Sequence, residues 1–235
     1  MKRSFYTLLT LAVICGAFCA CKKTVTLPLK SLISLSMVAD STSFDVPVTP
    51  KVTPAPNITF TSGGMLVNTF KFVATKSGSP IEKVIMGNDV TDLFAKTPVL
   101  YTINVDTGAY VNSEFRVRFL KTTVANAPAP LILKGTYKTA TATTPIEVDF
   151  NETTEVRIKI KDQVIVDGLT DITSYLKIYL NRLFMGVMAT DVDKAVRTNN
   201  VILINSTTNR NIYLKIRANI LNAVGGDATQ VSVED

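Results

Sequence analysis

The sequence predicts a mainly β fold: an antiparallel β-sandwich of Greek-key type, with room for one short C-terminal helix. Three observations carry this. From residue 57 onward apolar and polar residues alternate in short runs, as where Tyr101, Ile103 and Val105 interleave with Thr102, Asn104 and Asp106. A period of two sends one set into a core and the other into water. Turn-forming residues punctuate the runs at Gly63-Gly64, Gly78-Ser79-Pro80, Asn88-Asp89 and Asn126 to Pro130. Thr, Val and Ile are frequent, as suits half-buried sheets, and turn signals every 8–12 residues or so fit a sandwich.

The chain opens MKRSFYTLLTLAVICGAFCACKK. Lys2 and Arg3 precede an uncharged run from Phe5 to Ala20, and Lys22 and Lys23 follow it. This is the basic, apolar, small-residue order of a secretory signal. The apolar run is short for a membrane span, which needs about 20 residues, so an uncleaved signal-anchor helix is disfavoured. Cys15, Cys19 and Cys21 are the chain's three cysteines, and all lie in this segment. No disulfide framework or cysteine-held zinc site is therefore available to the rest.

With Ala20 before it and polar residues after it, Cys21 resembles the cysteine of a lipoprotein signal, which a peptidase exposes and which carries lipid. An ordinary cleaved signal holding a small apolar cysteine is the alternative. The resemblance implies residues 1–20 as a signal peptide and a covalent lipid on Cys21. It implies attachment to a membrane through that lipid, in the cell envelope, at the outer membrane of a Gram-negative bacterium. Removal of residues 1–20 takes away Lys2 and Arg3 and lowers the formal charge from +6 to +4. The remaining cations are scattered without a run, so nucleic acid is not an expected partner.

Residues 21–56 read as the lipidated cysteine, a tether and a proline-rich connection, with a first strand at 31–38 in which Ile33, Leu35 and Met37 share a side. Prolines at 47, 50, 54 and 56 suit an exposed, extended stretch, either a linker or a long edge loop. Residues 57–235 form the β-rich domain. Phe115, Val117 and Phe119 alternate with Arg116 and Arg118. Pro145 to Lys161 reads as a hairpin: Ile146, Val148 and Phe150 match Val156, Ile158 and Ile160, and Asn151 to Glu155 closes the loop. That register sets Asp149 opposite Arg157 and Glu147 opposite Lys159, so these charges read as a wet sheet face.

Period alone does not settle the last third. Leu176, Ile178 and Leu180 fit a strand, whereas Leu176, Leu180, Leu183 and Val187 fit a helix. At 212–221, Ile212, Leu214, Ile216, Ala218 and Ile220 alternate, while Ser206 to Thr208 and Gly225 offer helix start and stop signals. Alternation tips both segments towards strand. With the signal and Cys21, the stretch NNVILINSTTNRNIYLKIRANI (199–220) resembles uncharacterised β-rich envelope lipoproteins of Bacteroidota-type bacteria. In some of these a strand and an Asn-rich turn precede a terminal amphipathic helix. The resemblance favours helix at 212–222 and implies an envelope location without an activity.

The chain has no histidine. The commonest general base and transition-metal ligand is missing, and Ser-His-Asp or Cys-His catalysis is excluded. No GxxxxGK[ST] or GxGxxG pattern is present. No residue is assigned a catalytic role and no cofactor is expected beyond the lipid. Asp162, Asp167 and Asp171 around Gly168, and Asp191 with Asp193, are candidate Ca²⁺ ligands, although they lack EF-hand spacing and turn roles account for them. Tyr110 beside Ala109 and Gly108, and Tyr137 near Gly135, are candidate exposed platforms for a glycan; core or rim tyrosines are the plainer reading. The functional expectation is a non-catalytic structural or ligand-binding module with an envelope protein or glycan as partner. The alternative is a carboxylate-dependent hydrolase such as a glycosidase. A fimbrial subunit matured by cleavage after arginine is disfavoured, because no arginine lies between Cys21 and Phe115. Oxygen ligands hold Zn²⁺ and Cu²⁺ poorly. The mature chain is expected to purify without stoichiometric zinc, copper or iron, and elemental analysis finding one such ion per chain would overturn this.

Overall fold

The computed structural model describes residues 29–230, apart from 88, 97, 99, 125 and 126 and the side chains of 100 and 226–230. The signal segment and Cys21 lie outside the described residues. Among the described residues the fold is mainly β, with packed sheets in a sandwich and three short helices.

Three sheets share one apolar core. The first has the order β16 (Val224–Gln230), β13 (Ile172–Ile178), β1 (Lys30–Ala39), β7 (Leu100–Asp106). The second runs β14 (Arg197–Thr198), β15 (Val201–Ile204), β10 (Thr143–Phe150), β9 (Leu131–Lys138), β3 (Asn57–Leu66), β2 (Ser43–Asp45), with β6 (Val90–Asp92) also on β3. The third runs β11 (Thr154–Lys159), β8 (Gly108–Phe119), β4 (Thr69–Lys76), β5 (Ser79–Met86), with β12 (Val164–Val166) on β8. Pairing is mostly antiparallel, but β1 with β13 and β10 with β15 are parallel. The first and third sheets face each other through Phe70 and Tyr101, whose ring centroids lie 6.4 Å apart.

β1 is an inner strand of the first sheet, so residues 30–39 belong to the same folded body as the later strands. The proline-rich stretch is an edge loop rather than a linker. It joins β2 to β3, which pair with each other, and residues 49–54 are exposed. Alternation places Phe115, Val117 and Phe119 in the core, as it does Ile146, Val148 and Phe150. Gly63-Gly64 is not a turn. It lies inside β3, where a Cβ on Gly63 would meet Phe94 at 2.8 Å and Leu133 at 2.9 Å, so the glycine serves close packing.

The hairpin expected at 145–161 is corrected. β10 lies in the second sheet and β11 in the third, and Asn151 to Thr153 arches between them. Both strands still turn one apolar face to the common core, but they do so in different layers. Glu147 stands opposite Lys134 and binds it at 3.2 Å, while Asp149 stands opposite Ile132. Arg157 faces Arg116, and Lys159 faces Glu114. The facing arginines are tolerated because each is held by an acid two residues earlier on its own strand: Glu114 for Arg116 and Glu155 for Arg157.

The strand preference at 212–221 is also corrected. Strand β13 ends at Ile178 and leads into α1 (Leu180–Leu183), which is followed by α2 (Ala189–Asp193); residues 210–219 then form α3 (Arg210–Asn219). Burial decides it: Ile212, Tyr213, Ile216, Asn219 and Ile220 are buried, while Leu214 is 37% exposed. That is a helical stripe rather than an alternating face. The start is held by Asn205, whose side chain accepts the Thr207 and Thr208 amides, and by Asn209, whose amide group donates to the Val196 and Leu203 carbonyls. Gly225 lies in β16 rather than at the helix end. Among the described residues no helix is long and apolar enough to cross a membrane.

The arch gives a direct test. A double-mutant cycle on the half-exposed Glu147 and Lys134 pair should return a coupling of about 0.2–1 kcal/mol in denaturant melts. A cycle on Asp149 and Arg157 should return none, and coupling there would restore the hairpin.

Candidate functional site

An open groove of about 330 Å³ lies where the β10–β11 arch meets the end of α3. Phe150, Thr154, Ile220 and Leu221 contribute apolar surface, and Glu152 and Arg217 stand at its rim. Beneath it Phe119, Leu131 and Val224 line a smaller apolar crevice shared with Phe150 and Ile220. The two walls are fastened to each other. The Tyr213 hydroxyl donates to Glu152 at 2.9 Å, the Arg217 guanidinium lies 3.8 Å from the same carboxylate, and the Tyr213 ring packs 5.9 Å from Phe150. Burial and the neighbouring Glu152 push the Tyr213 phenol well above its ordinary value, so it stays protonated and keeps donating. Asn219 ties the end of α3 to α1 through the Leu183 and Met185 carbonyls.

The arch is itself anchored by the residues that follow β8. Thr153 accepts the Lys121 amide, and Asn151 accepts the Thr122 amide and donates to the Thr122 carbonyl. The groove is therefore a recess with fastened walls, an apolar floor and a charged rim. Such a recess takes an apolar anchor flanked by polar atoms, as in a peptide segment or an amphipathic ligand.

The residues singled out from sequence do not line it. Tyr110 and Tyr137 are 1% and 3% exposed, so neither presents a ring to solvent. Tyr110 packs on Phe72 and donates to the Asp106 carbonyl. Tyr137 donates to Asp193 at 3.0 Å, and burial together with that carboxylate pushes its phenol upward. The short residues Gly108 and Gly135 lie where neighbouring chain comes close, a Cβ at Gly135 standing 2.0 Å from the Thr59 carbonyl oxygen, and the tyrosines fill core beside them.

Asp167, Asp171 and Asp191 are likewise engaged. Asp167 accepts the Leu169 and Thr170 amides and the Thr170 hydroxyl, which holds its carboxyl below the usual range. Asp171 accepts the Leu32 amide at 2.8 Å. Asp191 accepts from Lys215 at 2.6 Å and from the Met188 amide, and these contacts lower its carboxyl. Asp162 is exposed. Among the described residues no group of three or more His, Cys, Asp or Glu is placed to hold a metal ion.

Sequence reasoning missed Glu152, Tyr213 and Arg217. The usable signal was the four-residue spacing of Ile212, Ile216 and Ile220 with that of Tyr213 and Arg217, which brings each set onto one helix face.

Asp149 sits on the sheet face opposite Phe150. One of its carboxylate oxygens is buried without a partner, and burial, then the charge of Glu147, pushes its carboxyl upward. A raised acid favours folding fully below its unfolded value of about 3.9 and loses that contribution as pH rises through the folded value. Asp149→Asn should therefore melt higher than the parent chain at pH 7, with the gap closing towards about pH 4. An unchanged gap across that range would show that the charge is not what costs stability.

In comparison with known proteins, no family model, no curated protein and no solved structure matches the chain.

Proposed function

We propose that the chain is a lipid-anchored protein of the cell envelope, at the outer membrane of a Gram-negative bacterium, that acts as a non-catalytic structural or ligand-binding module. The anchor is the covalent lipid on Cys21, supported by the basic, apolar, small-residue order before it and the polar tether after it. The observation that carries the binding role is the open groove at the β10–β11 arch. Its floor is apolar, and its rim carboxylates are already engaged: Glu152 with Tyr213 and Arg217, and Glu155 with Arg157.

This arrangement favours a binding recess over a glycosidase cleft. A glycosidase needs two carboxyl groups flanking the scissile bond with one free to give its proton. Here the acid that burial pushes upward, Asp149, points to the opposite side of the sheet from Phe150, which lines the groove. The partner that suits the groove is an extended segment of an envelope protein carrying one apolar anchor, and a glycan fits its apolar floor less well.

Cys21→Ser should release the chain from the membrane fraction or leave it uncleaved, since two or more acyl chains are what hold such a protein firmly. Intact-mass analysis should find a mature N-terminus at Cys21 with added lipid; a different N-terminus without lipid would sink the anchor. Arg217→Glu, which reverses the rim, should abolish whatever crosslinks to the parent chain in intact envelopes without shifting its melting temperature by more than a few degrees. Unchanged crosslinking would remove the groove from the account.

A further inference from the structure

The described chain begins at Leu29, and that end of the sandwich is unusual. Leu29 is 60% exposed, Ile165 49% and Leu169 79%, the last being the most exposed large apolar side chain among the described residues. These side chains belong to one cluster of connections. The Thr107 amide donates to the Leu29 carbonyl, and β12 carries Ile165 alongside Ala109. Gly168, with φ of +81°, packs so tightly that a Cβ would lie 2.4 Å from that of Leu29 and 2.8 Å from the Thr107 methyl. The Gly168 amide donates to Ser31 at 3.2 Å, and the Leu32 amide donates to Asp171. Asp167 takes up the Leu169 and Thr170 amides, so Leu169 stands at the tip of a fastened turn with its side chain in solvent.

The sequence says how far this end lies from the anchor. Leu29 lies eight Cα steps after Cys21, and at about 3.3–3.6 Å each these reach at most about 28 Å. The groove lies at the other end of β8, which starts at Gly108 beside this cluster and ends at Phe119 beneath the groove. At about 3.4 Å per residue that is roughly 35 Å further away.

We propose that the end of the sandwich bearing Leu29, Ile165 and Leu169 rests on the lipid surface to which Cys21 tethers the chain, with Leu169 as the tip that enters it. The proposal rests on the lipid-anchor reading given above. Tethering holds this end beside a bilayer at high effective concentration, so a small apolar contact suffices where a free protein would need a large one. The contact is apolar rather than ionic. The lysines at this end are engaged, Lys30 with Asp106 at 3.9 Å and Lys76 with the Thr107 carbonyl at 2.6 Å, and Asp167 and Asp171 stand beside them. Uncharged lipid therefore serves this contact, and Lys22 and Lys23 add attraction to anionic lipid only through the tether. Docked in this way, the chain directs the groove away from the membrane.

The test uses the full lipidated chain purified in detergent and reconstituted into phosphatidylcholine vesicles containing a spin-labelled lipid. The mature sequence holds no cysteine besides Cys21, so Leu169→Cys and Val124→Cys each add one free thiol for an environment-sensitive dye. Val124 is 70% exposed and follows the far end of β8. The expected result is a chain that floats with the vesicles, with the dye at 169 blue-shifted and quenched several-fold more than the dye at 124, and with no change in high salt. A floating chain quenched equally at both positions overturns the docking and leaves the anchor standing. A chain that does not float overturns the anchor and the docking with it. A dye at 169 that is blue-shifted in the vesicles but left unquenched by the spin-labelled lipid shows the tip covered by a second copy, which also overturns the proposal.

Discussion

β1 lies between β7 and β13, antiparallel to one and parallel to the other, and β13 in turn carries β16. The first described strand thus holds β7 on one side and, on the other, β13, which carries the last described strand. A parallel pair cannot be closed by a turn, and here the chain between β1 and β13 visits both other sheets and contributes β7 before β13 is laid down. Ile33, Leu35 and Met37 are each at most 1% exposed, and Ser34 and Ser36 on the other face are also buried. A strand buried on both faces near the start of the chain makes the fold strongly non-local. Loop-closure entropy is spent before those contacts form, which places the protein among slow folders.

Much of this was legible because alternation reports which side of a strand is buried. It worked for Tyr101 to Val105, for Phe115 to Phe119 and for Ile146 to Phe150. Alternation says nothing about the partner. Two strands joined by a short loop keep the same pattern whether the loop folds them into a hairpin or carries the second into another sheet. At 145–161 the local charges matched a hairpin as well, but Glu147 pairs with Lys134, on a strand that lies earlier in the chain. Partner choice was settled by contacts that no local window contains.

The helix at 210–219 was hidden for a different reason. Isoleucine at 212, 216 and 220 satisfies a period of four and a period of two together, and Leu214 and Ala218 complete the alternating set. Leu214 is where the readings part, since a strand would bury it and the helix leaves it partly in water. What favours helix is tertiary: Tyr213 covers Phe150 and reaches Glu152, and Asn219 closes the carbonyls at the end of α1. The groove exists because of that helix, so a strand reading of the segment conceals the site along with the fold.

The aspartates show how a β protein rich in crossings uses its acids. Each passage of the chain between sheets leaves backbone amides without ladder partners, and a buried or half-buried amide needs an acceptor. Asp40 takes the Leu180 amide where β13 gives way to α1, Asp171 takes that of Leu32 beside β13, and Asp167 closes its own turn. Asp191 does the same at the start of α2, with Lys215 reaching it from α3. A carboxylate that already accepts three hydrogen bonds, as Asp167 does, has few lone pairs left to offer a cation that needs six to eight oxygens. Clustered acids in such a sequence therefore mark where the chain changes sheets. Those at Asp167 and Asp171 acquire a second consequence, because the turn they fix is the one that sets Leu169 in solvent beside the start of the fold.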